Sequence, residues 1–352
     1  MQIPVERTKH PRPRPRDEDL GFGKVFTDHL FRLDYDEGKG WHSPRVEPYA
    51  PLSLDPAACA LHYGQLLFEG LKGYPARGGG VVLYRPRAHI ARLASSAKRL
   101  AMPAPPEDLV MAGLRALLAE DAAWVPRAPG TSLYIRPFMI ATEPFLGVRP
   151  SKQYAFLVII SPVGAYFSGP QRPLRIWVEE ERSRAARGGI GAAKAAANYV
   201  ASLLAAEEAK AKGYDQVLWL DGAEHRYVEE IGTMNFFARI GGKVVTPALE
   251  GTILPGVTRD SIIQLCKDFG VPVEERRLAF AELADAAREG RLEEAFGTGT
   301  ASLALPIGEL SRGAEKIAVP APADGIAARV SATLSALQRG EGPDPHGWLE
   351  KL

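Results

Sequence analysis

The chain of 352 residues is long enough for two domains, each with its own core. Hydrophobic residues make up 46% and charged residues 24%, the balance of a globular protein, and 43 basic against 42 acidic residues leave a net charge of +1. This charge excludes a broad electrostatic surface for nucleic acid or an anionic membrane, so we expect a small molecule as the partner.

The two cysteines, Cys59 and Cys266, lie far apart and lack the spacing of a metal site or a CxxC pair. This is typical of reduced, buried thiols in an intracellular protein. No apolar run has the length of a membrane-spanning helix, and the N-terminus lacks the apolar centre of a signal peptide. We therefore expect a cytoplasmic protein with no metal site.

A small N-terminal α/β domain is predicted over residues 20–162. Before it, residues 1–19 alternate Pro with Arg from Pro11 to Arg16, which predicts a disordered or extended basic tail. The β-branched and aromatic content of Phe22–Phe31 predicts the first strand. The elements after it are a strand at 41–50, a strand at 81–84, helices at 89–101 and 109–118, and strands at 133–140 and 154–160.

A large C-terminal domain is predicted over residues 174–352, after an ordered connection at 163–173 that is rich in Pro, Gly and aromatics. Its first elements are a strand at 174–178 and one helix at 197–212, with Val200, Leu203 and Leu204 at helical spacing. The later elements are strands at 215–220, 227–229, 235–240 and 243–246, a helix ending before Gly270, a strand at 271–276, a helix at 280–288, a strand at 294–296 and a helix at 326–337.

Lys194 stands in a run of small residues from Gly189 to Tyr199. Small neighbours let a bulky ligand approach the backbone, and a lysine against an apolar wall ionises less readily. An amine nucleophile or a Schiff base needs a lysine of this kind. The alternative is a surface lysine at the start of an Ala-rich helix.

Three other features are suited to an anion. Arg92 lies near the start of a predicted helix, the backbone N–H groups of Val257 and Thr258 begin another, and residues 297–301 form a Gly/Thr loop. Together with Lys194 they suit an aldehyde that carries a phosphate, and pyridoxal phosphate fits that description.

That cofactor also needs a carboxylate facing its ring nitrogen. Glu230 is the candidate and Glu229 its rival. Strand alternation sends the two side chains to opposite faces.

The sequence resembles the branched-chain amino acid aminotransferases, class IV pyridoxal-phosphate enzymes whose fold also holds D-amino acid aminotransferase and aminodeoxychorismate lyase. The resemblance rests on the motifs at 63–70, 132–137, 164–167, 193–199, 216–220, 230–235, 254–259 and 299–301. It implies a mixed α+β chain of fold type IV, whose large cofactor-binding domain has a β-barrel-like core.

The resemblance also implies how the cofactor is bound. Lys194 would form the Schiff base and shuttle a proton, Tyr199 would bind the phenolic oxygen, and Glu230 would pair with the ring nitrogen. The phosphate would be bound by Arg92, by the backbone of Val257 and Thr258, and by Thr300.

Substrate contacts are implied by the same resemblance. Thr233 and the backbone of Ala301 would receive the α-carboxylate, and Arg136 with Tyr134 would receive the second carboxylate of glutamate. The substrate side chain would lie among Phe22, Phe68, Tyr134, Tyr166 and Tyr199. Tyr63 matches a partner-facing position, which implies a homodimer whose active site is completed by the partner subunit.

The expected reaction is reversible amino transfer between L-leucine, L-isoleucine or L-valine and 2-oxoglutarate, giving branched-chain 2-oxo acids and L-glutamate. A D-amino acid aminotransferase and an aminodeoxychorismate lyase are the alternatives, and a binding protein without activity is a third. The sequence departs from the family at Ala195–Ala197, where glycines are common. We expect helical backbone there and little harm from the added methyl groups.

Overall fold

The computed structural model describes residues 2–164 and 172–352. The chain forms two compact units. Unit 1 comprises Met1–Ser168, Ala193–Ala196 and Ala336–Leu352, and unit 2 comprises Gly169–Ala192 and Ala197–Ser335. The predicted domains assigned all of 174–352 to one domain, whereas two segments of that range, Ala193–Ala196 and Ala336–Leu352, group with unit 1.

The strands and helices follow in chain order. The strands are β1 (His29–Asp36), β2 (Gly40–Pro48), β3 (Leu66–Phe68), β4 (Leu71–Pro75), β5 (Val81–Tyr84), β6 (Ser132–Ala141), β7 (Gln153–Val163), β8 (Leu174–Val178), β9 (Gln216–Leu220), β10 (Val228–Ile231), β11 (Met234–Ile240), β12 (Lys243–Thr246), β13 (Val273–Glu275), β14 (Leu292–Thr298), β15 (Leu305–Arg312), β16 (Glu315–Ala318) and β17 (Leu349–Lys351). The helices are α1 (Cys59–Tyr63), α2 (Pro86–Arg99), α3 (Glu107–Glu120), α4 (Ala196–Val200), α5 (Leu203–Ala211), α6 (Val257–Asp268), α7 (Phe280–Arg288) and α8 (Ile326–Gln338).

Unit 1 is built on an antiparallel sheet in the order β17-β5-β4-β6-β7-β1-β2, with β3 also paired to β6. Helix α3 packs against β1 and β2. Gly113 of α3 lies over the fully buried ring of Phe31, and a Cβ at this position would collide with that ring. The glycine therefore lets the helix approach the sheet closely, although glycine weakens a helix interior.

Unit 2 is built on a closed barrel of six strands in the order β10-β9-β8-β15-β14-β11, since β11 pairs back to β10. Strand β8 runs parallel to both β9 and β15. The rings of Phe237 and Phe296 stack inside unit 2 with centroids 5.2 Å apart. Closure leaves the six strands without a free edge.

The predicted basic tail belongs to unit 1 and contacts the rest of that unit. Ile3 is buried, and the N–H of Glu6 donates to the carbonyl of Val46 at 2.9 Å. The guanidinium of Arg12 donates to the carbonyl of Tyr49 at 3.2 Å. A short 3-10 helix, Asp17–Asp19, follows.

Among the predicted elements, two differ most from the structure. The strand predicted at Phe22–Phe31 begins only at His29, and Gly23 takes a left-handed backbone conformation (φ +67°), which excludes an extended run through that residue. The helix predicted at 197–212 is interrupted between α4 and α5, where the Ser202 hydroxyl donates to the carbonyl of Tyr199 at 2.7 Å.

The apolar face expected for that helix is also wrong. Val200, Leu203 and Leu204 are 67%, 60% and 59% exposed. The residues of α5 that are buried in unit 2 are Ala205 and Ala209, whose small side chains pack with Tyr214, Val217 and Trp219. In residues 2–164 and 172–352, no helix has the length and apolar character needed to cross a membrane.

Candidate active site

The backbone around Lys194 is fixed by contacts within unit 1. The Lys194 N–H donates to the Ser96 hydroxyl at 2.9 Å, and its carbonyl accepts from the N–H of Phe68 at 3.1 Å. The next residue, Ala195, forms an isolated β-bridge with Leu67. These contacts fix the position of the Lys194 backbone.

The Lys194 side chain lies in an apolar and cationic environment. Its Nζ is 4.9 Å from the centroid of the Phe68 ring. Burial lowers the pKa of Lys194 to about 8, and the positive charge of Arg92 acts in the same direction. A lowered pKa keeps part of the amine neutral near pH 7, as a nucleophile requires.

Arg92 is held by a buried carboxylate that our sequence analysis missed. Its Nε donates to Glu69 Oε1 at 2.7 Å and its Nη2 to Glu69 Oε2 at 2.8 Å, and Arg92 is 8% exposed. Burial alone would raise the pKa of Glu69, but the charge and hydrogen bonds of Arg92 lower it well below its usual range. The pair therefore stays ionised, and one edge of the guanidinium is fixed by a bidentate contact.

His89 completes this buried cluster. Its Nδ1 lies 3.1 Å from Glu69 Oε2, and burial lowers the pKa of His89. A neutral ring can donate its Nδ1–H to Glu69. His89 and Arg92 are three residues apart on α2, which is a signal that they share one helix face. Glu69 lies in the connection between β3 and β4, so that spacing does not point to it.

Arg136 lies between two aromatic rings on the same sheet. Its Cζ is 4.7 Å from the Phe68 centroid and 5.2 Å from the Tyr134 centroid, and its Nη2 donates to the Tyr134 hydroxyl at 3.1 Å. Arg136 Nε is buried without a hydrogen-bond partner in the part of the chain that the structure describes. Phe22 meets Tyr134 edge to face at 5.0 Å. Unit 1 thus brings three predicted aromatic substrate residues together with the predicted cation.

Tyr63 lies apart from this cluster, at the end of α1. It is 44% exposed, and its hydroxyl donates to the carbonyl of Leu146. Tyr166 lies outside the described residues.

Glu230 lies in β10 of unit 2 and is 3% exposed. Its Oε1 accepts hydrogen bonds at 3.0 Å from Asn235 Nδ2 and from the backbone N–H of Leu254. Arg184 Nε lies 2.9 Å from Oε2. Two donors and a guanidinium stabilise the ionised carboxylate.

Glu229 has a different environment, as the strand alternation predicted. Its Oε1 accepts from the Thr252 hydroxyl at 2.5 Å. Burial raises the pKa of Glu229 to about 6, so this carboxyl holds its negative charge less readily than an ordinary glutamate.

Val257 and Thr258 form the first turn of α6, and Gly256 before them provides no side-chain cap. A Cβ at Gly256 would collide with the amide oxygen of Asn235, so the glycine allows the helix start to approach the residue that binds Glu230. The N–H groups of a first helical turn are suited to an anion.

The remaining predicted residues lie in turns of unit 2 or in a short helix. Thr233 is an exposed residue of the β10–β11 turn, and Tyr199 is half-buried in α4. Gly297 and Thr298 were predicted as loop residues but belong to β14, and the Thr298 hydroxyl donates to the carbonyl of Leu303. The loop that contains Thr300 and Ala301 therefore starts at Gly299.

The chain belongs to the amino-transferase class IV family, whose sequence profile matches residues 66–310. It is 50% identical over 351 residues to branched-chain-amino-acid aminotransferase 2 of Bacillus subtilis, covering 99% of this chain and 97% of that protein. The solved structure of a branched-chain amino acid aminotransferase from Escherichia coli is similar, with a TM-score of 0.75, 29% identity, and coverage of 92% and 99% of the two chains. Another branched-chain amino acid aminotransferase, solved with pyridoxamine 5'-phosphate, has a TM-score of 0.72, 26% identity, and coverage of 91% and 98%.

The predicted family, fold class, enzyme class and cofactor are confirmed by these findings. The chain is a pyridoxal-phosphate-dependent transferase, and its donor groups fit that cofactor. In unit 1 these groups are an amine with a lowered pKa and a buried guanidinium. In unit 2 they are a buried carboxylate and a helix start that lacks a side-chain cap.

Proposed function

We propose that this protein transfers the amino group between L-leucine, L-isoleucine or L-valine and 2-oxoglutarate. The observation that carries the proposal is the Arg136 guanidinium between the rings of Phe68 and Tyr134. Aromatic walls suit a branched aliphatic side chain, while the single cation suits the second carboxylate of glutamate, which would cost several kcal/mol if buried unpaired. The B. subtilis and E. coli relatives bear names with this substrate class.

Pyridoxal phosphate, when bound, supplies the electron sink that makes the substrate Cα–H acidic. In our proposal, the Lys194 amine carries the proton between the substrate Cα and cofactor C4′. Glu230 keeps a proton on the ring nitrogen, and Tyr199 binds the phenolic oxygen. The phosphate is bound by Arg92, Val257, Thr258 and Thr300, with Arg92 oriented by its bidentate contact to Glu69.

For the substrate we propose that Thr233 and the Ala301 backbone bind the α-carboxylate. Phe22, Phe68 and Tyr134 surround the side chain, together with Tyr199 and with Tyr166. Because the guanidinium of Arg136 already stacks on two rings, it requires little reorganisation to bind a carboxylate.

We also propose a homodimer whose partner subunit completes the active site. The support is an exposed apolar patch around Tyr63, which we call the α1 patch: Leu61, Tyr63, Phe145, Leu146 and Val148, exposed by 58%, 44%, 37%, 63% and 86%. Exposed apolar groups on this scale mark interaction surfaces. We further propose a cytoplasmic location, supported by the free, buried thiols of Cys59 and Cys266.

The experiment that tests the proposed function combines absorption spectra with a substrate screen. Wild-type protein loaded with pyridoxal phosphate should show a visible absorption band that Lys194→Ala lacks. L-leucine should bleach the band, and 2-oxoglutarate should restore it with formation of glutamate. Bleaching by D-alanine but not by L-leucine would contradict the substrate assignment, and absence of the band in wild type would contradict the role of Lys194.

A further inference from the structure

The predicted basic tail has no part in the proposed reaction, yet it is bonded to the rest of unit 1 at separate points. Val5 forms a parallel β-bridge with Val46. The backbone N–H of Thr8 donates to Nε2 of the buried His29 at 2.9 Å. A solvated tail makes no such contacts, so this segment is a fixed part of the fold.

Arg12 closes the base of a loop, residues 12–28, that we call the Phe22 loop. The backbone N–H of Arg12 donates to Asp28 Oδ1 at 2.8 Å. The Arg12 guanidinium donates to the carbonyls of Phe26 and Thr27, each at 3.4 Å. Both ends of the loop therefore meet at Arg12. Closing a flexible loop at its base removes conformations that the open loop would sample.

Two neighbouring side chains hold the same base. The Arg12 guanidinium donates to the carbonyl of Tyr49 at 3.2 Å and lies 4.5 Å from the centroid of its ring. The second carboxylate oxygen of Asp28 accepts from the indole N–H of Trp124 at 3.0 Å. The base of the Phe22 loop is thus attached to the segment after β2 and to the turn after α3.

The middle of the Phe22 loop lies against the end of β7. The N–H of Gly164 donates to the carbonyl of Gly21 at 3.2 Å, and a Cβ at Gly164 would collide with the carbonyl oxygen of Leu20. The next residue, Phe22, meets the Tyr134 ring edge to face at 5.0 Å. The place of the Phe22 ring beside Tyr134 therefore depends on how the loop is held.

We propose that Arg12 is a positioning residue that holds Phe22 in the aromatic wall of the substrate pocket, and that the predicted basic tail thereby contributes to substrate specificity. The inference rests on the proposed function, which places Phe22 beside the substrate side chain. Arg12 acts at a distance, because its contacts are with the base of the Phe22 loop and with Tyr49, outside the residues assigned to substrate or cofactor. A wall that is fixed before binding costs the substrate less to order.

Kinetic coupling between Arg12 and Phe22 tests the inference. Arg12→Ala should lower kcat/KM for L-leucine roughly three- to tenfold, mainly through KM, because a mobile ring covers the side chain less completely. The loss for 2-oxoglutarate should stay below roughly twofold, since Arg136 binds its second carboxylate. In the Phe22→Ala background, Arg12→Ala should cause no further loss with leucine, because the ring that Arg12 holds is already absent.

Limited trypsin digestion of the holoenzyme supplies a measurement that does not depend on activity. Lys24 is an exposed residue of the Phe22 loop, and a loop that is held resists cleavage after it. The initial rate of cleavage there, followed by mass spectrometry, should rise roughly fivefold or more in Arg12→Ala. Asp28→Ala, which removes the acceptor for the Arg12 N–H, should have the same effect. Lys9→Ala, on another exposed basic residue of the tail, is the matched control and should behave as wild type.

The inference is overturned if cleavage after Lys24 is as slow in Arg12→Ala and Asp28→Ala as in wild type. It is also overturned if Arg12→Ala causes the same loss with leucine whether or not Phe22 is present, because Arg12 would then act through another group. A protein that forms no visible band or does not react with leucine would contradict the proposed function. In that case the cleavage rates alone decide whether Arg12 holds the Phe22 loop.

Discussion

In the proposed function, Arg136 is the residue on which recognition of both substrates depends. Its guanidinium stacks on Phe68 and donates to the Tyr134 hydroxyl, and that hydroxyl packs against Gly70, where a Cβ would collide with it. The aromatic groups therefore fix the position of the cation, and they remain as an apolar wall when no carboxylate is bound. We therefore propose that a single pocket accepts both leucine and glutamate.

Replacing Arg136 should separate the two substrates. For Arg136→Ala we expect kcat/KM for 2-oxoglutarate to fall roughly 10- to 100-fold, the loss of a charge-assisted contact of about 1.5–3 kcal/mol, with a much smaller change for leucine. Steady-state kinetics with each substrate varied measures the difference. Arg115→Ala, on an exposed residue of α3, should change neither constant. Equal losses of kcat/KM for both substrates would show that Arg136 only stabilises the fold.

The second prediction concerns the pH dependence of cofactor loading. Because burial and then the charge of Arg92 lower the pKa of Lys194 to about 8, the neutral amine increases as pH rises toward that value. The rate at which apoprotein develops the visible band with pyridoxal phosphate should therefore rise with pH and level off above about 8. Stopped-flow absorbance measures it. A rate still rising in proportion to hydroxide at a pH of about 10 would mean that Lys194 has an ordinary pKa.

Much of the candidate site could be predicted from single residues of the sequence, because Lys194, Arg92 and Glu230 each have a local signal. Lys194 stands among small residues, Arg92 lies on an amphipathic helix, and Glu230 precedes a Gly-containing turn. Glu69 could not be predicted, because its partner is 23 positions away and the contact exists only once β3 and α2 have packed.

Among the elements, α3 shows how one glycine sets a packing distance. Gly113 lies against the Phe31 ring, and any side chain there must displace the ring or the helix. The sequence predicted α3 within a few residues of its bounds, because its apolar residues recur at helical spacing. Its approach to β1 was not predictable from that spacing.

Gly113→Ala should destabilise unit 1, although alanine is the better helix former. Overpacking costs typically about 1–3 kcal/mol, which exceeds the roughly 1 kcal/mol gained in helix propensity. Phe31→Leu by itself should lower the free energy of unfolding. The double variant with Gly113→Ala should lose less of that free energy than the sum of the two single losses. Urea denaturation of the four proteins measures this coupling, and strict additivity would contradict the steric explanation.

The elements that the sequence analysis missed or misplaced have more than one physical cause, and the missed ones are α1, β3, β4, β15, β16 and β17. Strands β3 and β17 have three residues each, too few for a periodic pattern, and they are stabilised by partners elsewhere in the chain. At the α4–α5 interruption the Ser202 hydroxyl donates to the carbonyl of Tyr199, a contact that the spacing of apolar residues does not reveal. Exposure of Val200, Leu203 and Leu204 reverses the expected amphipathic face, since helical spacing marks a face without showing whether anything covers it.

For the whole molecule, the α1 patch leads to a prediction about assembly. If a second copy covers it, wild type should sediment as a dimer, and Val148→Asp or Leu146→Asp should produce monomers, since a buried unpaired charge costs several kcal/mol. Val200→Asp is the matched control, because Val200 is also exposed, by 67%, but lies outside the patch. Analytical ultracentrifugation decides between the outcomes. A monomeric wild type, or dissociation by Val200→Asp alone, would contradict the proposed dimer.

The assignment of Ala193–Ala196 and Ala336–Leu352 to unit 1 has a consequence for folding during translation. A ribosome that has released residues 1–164 has not yet made the segment that bridges Leu67, nor β17, which pairs with β5. Unit 1 therefore cannot complete its sheet until nearly all of unit 2 has been translated, so its β5 edge stays open to other chains during that interval. Nascent chains arrested between the two units should consequently be the species that most need chaperones.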